Sequence, residues 1–388
     1  MPVNRLAIAL ACSTILSAGA VETSTVKGIV DRAVQPVMAQ YGVAGMAVAV
    51  TIDGQAMFFN YGLASKSPAR PVTEHTLFEL GSISKTFTAT LATYAEVRGK
   101  LSLDDHPGKY LPALEGSALD RATLRELGAY TAAGLPLQVP DEVGNDARTL
   151  AWLRAWQPGA APGAERRYSN PSIGLMGRAT AVALQSDFGD ALERQMFPAF
   201  GLRHTHVRIP QAAMADYAWG YNADNKPVRV TPGVFDAESY GVKSSAADMV
   251  RYLQANIEPA RLDPTLRRAV EGTQVGFYEV GAMVQGLGWE QYRAPFTLQR
   301  LLDGNSTRIS LETNPVTPLA PAPAPEGTLF NKTGSTGGFG AYAAFIPQRR
   351  IGIVLLANKN YPIPARVTAA YAILHQLASF TPQETASR

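Results

Sequence analysis

Cysteine is almost absent from this chain: of 388 residues only Cys12 carries a thiol. Cys12 lies in the leading segment, so the rest of the chain has no disulfide and no thiol nucleophile. Charge of one sign is lacking as well. The net charge is +3, with 17% charged residues and no basic block, which argues against a nucleic-acid partner. Long apolar runs are also missing. The run from Leu6 to Leu16 is too short to span a bilayer. It follows Arg5 and precedes Ala18-Gly19-Ala20, a small-x-small cleavage pattern. Residues 1–20 therefore read as an export signal, with Val21 starting the mature chain and the periplasm as its destination. A lipid anchor on Cys12 is the alternative, but the residues before it fit a lipoprotein signal poorly. There is no Gly-x-Ser-x-Gly elbow, phosphate loop or dinucleotide fingerprint. The five histidines (His75, His106, His204, His206, His375) are scattered. His204 and His206 are two apart, yet no third ligand accompanies them, so no metal is expected. Asp104, Asp105 and Glu142 read as surface charges or caps.

What is present is an ordinary globular composition, 46% hydrophobic, enough for a large core and two lobes. Val26 to Gln40 carries apolar residues at helical spacing. Met46 to Ile52 and Gln55 to Tyr61 flank Asp53-Gly54 and predict a hairpin with a tight turn. Near the other end, Gly340 to Ile346 and Arg350 to Ala357 predict two more strands, and Ala365 to Ser379 an apolar helix. Matching material at both ends predicts an α/β domain from 21–80 and 280–388, an antiparallel sheet flanked by the terminal helices. Between them, 81–279 reads as a mostly helical inserted domain, with helical patterns at Ala122–Leu127, Thr149–Trp156, Pro171–Leu184 and Ala246–Ala255. Gly281 to Glu290 returns to a strand pattern. Pro315 to Gly327, rich in proline, reads as a stiff surface loop or linker. A cleft between the lobes is the natural place for a site.

Three short motifs carry chemistry. The first is Ser82-Ile83-Ser84-Lys85, entered through Gly81. A serine hydroxyl needs a neighbour to take its proton. Residues three apart share a helix face, which brings the Lys85 amine to Ser82. Apolar residues at 83, 87, 91 and 95 predict a buried helix that stops near Gly99. The plain alternative is a helix capped by Ser82 beside a solvated Lys85. The second motif, Tyr168-Ser169-Asn170, lies at a loop–helix junction. A tyrosine acts as a base near neutral pH only if nearby cations stabilise its phenolate. The plain alternative is a half-buried tyrosine beside an N-capping asparagine. The third, Lys332-Thr333-Gly334-Ser335-Thr336-Gly337-Gly338, opens a strand with a cation and hydroxyls suited to a carboxylate. Its glycines let a substrate backbone approach closely.

The order Ser-x-x-Lys, Tyr-x-Asn, Lys-Thr-Gly resembles the class C serine β-lactamases. The resemblance extends over nearly the whole mature chain, through Phe78–Thr88, Tyr130-Thr131, Gly134–Pro140, Asp216–Tyr221, Asp236–Lys243, Gln285–Glu290, Lys332–Pro347 and Ile351–Val367. It implies a serine β-lactamase/penicillin-binding-protein-like fold and hydrolysis of cephalosporins and penicillins, small-molecule β-lactams, without a cofactor. It implies Ser82 as acylated nucleophile, with Lys85 and Tyr168 sharing its proton and Lys332 supporting Tyr168. Backbone N–H groups of Ser82 and Ser335 would form the oxyanion hole. Gln138 and Asn170 would bind the substrate's side-chain amide, Tyr240 would wall the pocket and Glu290 would line it. Thr333, Gly334, Ser335, Asn360 and Arg366 would complete the substrate contacts. Ile363 stands where many relatives carry an asparagine, so carboxylate recognition would lean on Thr333, Ser335 and Arg366. A D-alanyl-D-alanine peptidase or esterase of the same fold remains open, as does a penicillin-binding protein or sensor that acylates and stops. With no clear oligomerisation surface, a monomer is the default expectation.

Overall fold

The computed structural model describes residues 22–132 and 134–380. The proposed export signal and Cys12 lie outside the described residues. Helix α1 (Thr23–Tyr41) leads into strands β1 (Gly45–Ile52), β2 (Gln55–Lys66) and β3 (Ala69–Pro71). After helix α2 (Ser84–Val97) and helix α3 (Asn170–Ala183), the chain returns as β4 (Val275–Val280), β5 (Met283–Gln285) and β6 (Glu290–Tyr292). It continues through β7 (Thr317–Pro323), β8 (Leu329–Ser335), β9 (Gly340–Ile346) and β10 (Ile351–Ala357), and ends on helix α4 (Ile363–Leu377). These strands form one ten-stranded sheet in the order β7-β4-β5-β6-β8-β9-β10-β1-β2-β3. All its pairings are antiparallel.

Side-chain alternation explains how both faces of the sheet are buried. Val48 and Val50 on β1 and Ile353 and Leu355 on β10 share one apolar cluster with Val26, Val30, Val367 and Ile373 of the terminal helices. Their neighbours Ala47, Ala49, Val354 and Leu356 point the other way, into a second cluster with Met249 and Leu253 of the helix Ala246–Ile257. The hairpin between β1 and β2 turns at Asp53 (φ 50°) and Gly54 (φ 81°). Two consecutive left-handed residues match the right-handed strand twist, as the Asp-Gly pair predicts.

The expectation for Pro315 to Gly327 is corrected. Most of that stretch is β7, an edge strand whose Thr317 and Pro318 face Glu279 and Tyr278 of β4. A proline lacks the N–H that a central strand must donate, but an edge strand leaves half of its groups unpaired anyway. Proline therefore disguises an edge strand as a loop. The segment remains on the surface, as expected.

Among the described residues, no helix is long and apolar enough to cross a membrane. His204 packs against His75, their ring centroids 4.7 Å apart.

Candidate active site

Ser82 occupies a short 3-10 turn, Gly81–Ile83, that feeds directly into α2. The N-cap position of α2 is Ile83, not Ser82, and no side chain caps it. Gly81 has φ 53°, and a Cβ there would lie 2.4 Å from the backbone nitrogen of Ser335. A Cβ on Gly334 would lie 1.9 Å from the carbonyl oxygen of Leu80. Two glycines thus let the end of β8 press against the turn that carries Ser82. The space a Gly334 side chain would need is filled by the Leu80 carbonyl.

Lys85 is fully buried. Its Nζ donates to Ser82 Oγ at 3.0 Å and to the carbonyl of Ser239 at 2.8 Å. The solvated lysine of the plain alternative is excluded. Burial pushes the Lys85 amine down to about 8, because an ammonium loses its hydration there.

Tyr168 follows the strand Glu165–Arg167, and Lys85 Nζ and Lys332 Nζ each lie 5.0 Å from its ring centroid. Burial alone would raise the phenol. Lys332 and then Lys85 outweigh it by charge attraction and bring Tyr168 down to about 8. Its buried hydroxyl has no hydrogen-bond partner among the described residues. Lys332 is buried too, and it donates to Glu290 Oε1 at 3.1 Å. Burial pushes Lys332 down, but the Glu290 carboxylate and Tyr168 more than offset this and hold it above the ordinary lysine value. Lys332 is therefore held charged, while Lys85 and Tyr168 are brought to similar proton affinities.

Asn170 is not the cap of α3. Ser169 is, its side chain accepting from the N–H of Ser172. Asn170 is thereby released to the cavity, buried, with its Oδ1 unpartnered among the described residues. Its N–H donates to the Leu137 carbonyl at 3.0 Å, which holds the adjoining Gln138 at the same rim.

One cavity of about 440 Å³ gathers Ser82, Gln138, Tyr168, Asn170, Tyr240, Glu290, Lys332, Thr333, Gly334 and Ser335. That size suits a small molecule. Ile363 also lines it. Asn360 and Arg366 stand beside it, linked to the lining residue Ser335 through the Arg366 guanidinium. Arg366 is fully buried behind β8. One guanidinium nitrogen donates to the Gly334 carbonyl (2.6 Å) and Ser335 Oγ (2.9 Å). The other donates to Asn360 Oδ1 (2.6 Å) and the Tyr361 carbonyl. The Arg366 Nε has no partner among the described residues, while the terminal nitrogens tie the guanidinium to β8, Ser335 included, and to Asn360 and Tyr361.

Several lining groups were missed in the sequence. Arg166 is two residues before Tyr168, and strand alternation would have put both on one face. Behind the lining, Gln285, which accepts from Arg166 Nε, and the Ser239 carbonyl, which accepts from Lys85, lie in stretches recognised only as blocks. Val230, Thr231 and Ile309 to Leu311 had no signal at all, because they reach the cavity only through tertiary folding.

Comparison with known proteins agrees with this geometry. The Beta-lactamase family model matches residues 30–378. A protein of Pseudomonas fluorescens named "Beta-lactamase" is 49% identical over 350 residues, 90% of this chain and 98% of its own length. A solved "Beta-Lactamase/D-Alanine Carboxypeptidase from Pseudomonas syringae" superposes with a TM-score of 0.89 at 45% identity, covering 90% of this chain and 99% of its own. A class C β-lactamase solved in complex with cefoxitin gives a TM-score of 0.89 at 44% identity, covering 92% of this chain and 100% of its own. Matched from one end of the sheet to the other, and at nearly half identity, the chain belongs to the β-lactamase family, on the class C branch.

Proposed function

We propose that this chain hydrolyses the amide bond of β-lactams through a covalent ester on Ser82, and so confers resistance to cephalosporins and penicillins. The observation that carries the mechanism is the 3.0 Å contact from Lys85 Nζ to Ser82 Oγ, beside a tyrosine held between two lysines. Ser82 Oγ attacks the ring carbonyl, and its proton passes to the Lys85–Tyr168 pair. The C–N bond of the ring breaks as Tyr168 returns that proton to the leaving nitrogen. Water then attacks the ester, Tyr168 takes a proton from it, and Ser82 leaves with its own proton restored. The backbone N–H groups of Ser82 and Ser335 are proposed as the oxyanion hole, supported by the close approach at Gly81 and Gly334. Gln138 and Asn170 hold the substrate's amide side chain, Tyr240 walls it, and Thr333 and Ser335 take the carboxylate. Lys332, paired with Glu290, supplies the fixed positive charge.

Export to the periplasm rests on the leading segment. Action as a monomer is the default proposal, because the sequence shows no clear oligomerisation surface. Peptidase activity on D-alanyl peptides is the second reading, favoured by the double name of the Pseudomonas syringae neighbour. Ser82→Ala is predicted to abolish covalent labelling by a penicillin. The check is mass spectrometry of the intact chain, and a persisting adduct would remove Ser82 as nucleophile.

A further inference from the structure

Two lysines do not complete the charge around Tyr168. Arg166, only 1% exposed, lies over the same ring, its guanidinium carbon 5.5 Å from the Tyr168 centroid and 5.2 Å from that of Tyr130. Its Nε donates to Gln285 Oε1 at 2.8 Å, and one terminal nitrogen donates to the Ile309 carbonyl at 2.7 Å. The charged or titratable groups facing Tyr168 are Lys85 from α2, Lys332 from β8, Glu290 from β6, Tyr130 and Arg166. Their roles differ. Lys85 gives up its proton in the same range as Tyr168. Lys332 is matched by Glu290. Arg166 cannot lose its proton at working pH, and the two acceptors that hold it are neutral.

We propose that Arg166 is a positioning residue for Tyr168: a permanent cation on the ring face, locked by its fork to Gln285 and to the cavity wall at Ile309. It keeps positive charge beside the phenolate at the moment Lys85 is neutral. The same fork fixes the wall that continues through Ser310 and Leu311 into the cavity. A lysine here would keep the charge but not the planar fork. The proposal rests on the reading of Tyr168 as the proton carrier.

The test uses the full chain carrying Arg166→Met or Arg166→Lys, with kcat/KM for a chromogenic cephalosporin followed against pH. Loss of a neighbouring cation raises a phenol, so the acid limb of the methionine variant is expected to move up by about one pH unit. The lysine variant is expected to keep the parent limb while KM rises, because the Ile309 carbonyl loses its donor. Arg166→Gln, neutral but still a donor, replaces the methionine variant should that one not fold, with the same shift expected. A neutral variant whose limb stays at the parent position overturns the proposal, since a purely structural loss lowers rates alike at every pH. A lysine limb displaced as far as the neutral one also overturns it. A parent chain that turns over no cephalosporin at any pH overturns the underlying reading, and the proposal with it.

Discussion

Lys85 and Tyr168 are both brought to about 8, one from above chiefly by burial, with Lys332 adding to it, and the other against its burial by two cations. At that value a proton moves between them at little cost, and each pKa unit of mismatch removed is worth about 1.4 kcal/mol. The sign of the pH dependence follows. The active form lacks a proton on this pair, so kcat/KM is predicted to fall as pH drops below about 8 and the pair takes that proton on. A stopped-flow pH profile checks this, and a rate that stays flat well below that point would contradict it. Tyr168→Phe keeps the ring packed against Tyr130 but removes the hydroxyl. Turnover should fall by about 100- to 10,000-fold with an unchanged circular dichroism spectrum. Parental turnover in that variant would end the acid/base role.

At the scale of elements, the site depends on two glycines that let β8 meet the turn before α2. Gly334→Ala forces a methyl against the Leu80 carbonyl, a backbone atom that cannot swing aside. The Ser335 N–H is then displaced from the Ser82 turn, and kcat is predicted to drop by about 100- to 1,000-fold. A kcat equal to the parent's would show that the close approach is not needed. This contact also marks how far the sequence could be read. The helix after Ser82 was legible from its apolar spacing, and the β1–β2 hairpin from Asp53-Gly54. Ser82, Lys85, Tyr168 and Lys332 stood out because they lie in short motifs whose spacing is local. The β7 edge strand was hidden by proline, which breaks the usual strand composition without breaking an edge pairing. The burial of Arg366 was not legible, because sequence gives neighbourhood but not burial. Only the fold puts its guanidinium behind Ser335 rather than in front of it. Arg166 and the Ile309 to Leu311 wall meet across 143 residues of chain, a contact no local pattern encodes.

The whole molecule makes the site by returning late in its sequence to a sheet begun early. β1 lies between β2 and β10, so the first and last strands share one core, while the turn that opens α2 is carried against the end of β8. Nucleophile, proton carrier and fixed cation thereby arrive from the turn before α2, from the segment before α3 and from β8, around one cavity. The most direct test of the account is hydrolysis of a chromogenic cephalosporin by the purified mature chain, followed past one equivalent of enzyme. The account predicts continuous turnover at a rate proportional to enzyme. A burst of one equivalent that stalls would mean that Ser82 acylates but Tyr168 does not activate the releasing water, and would contradict the account.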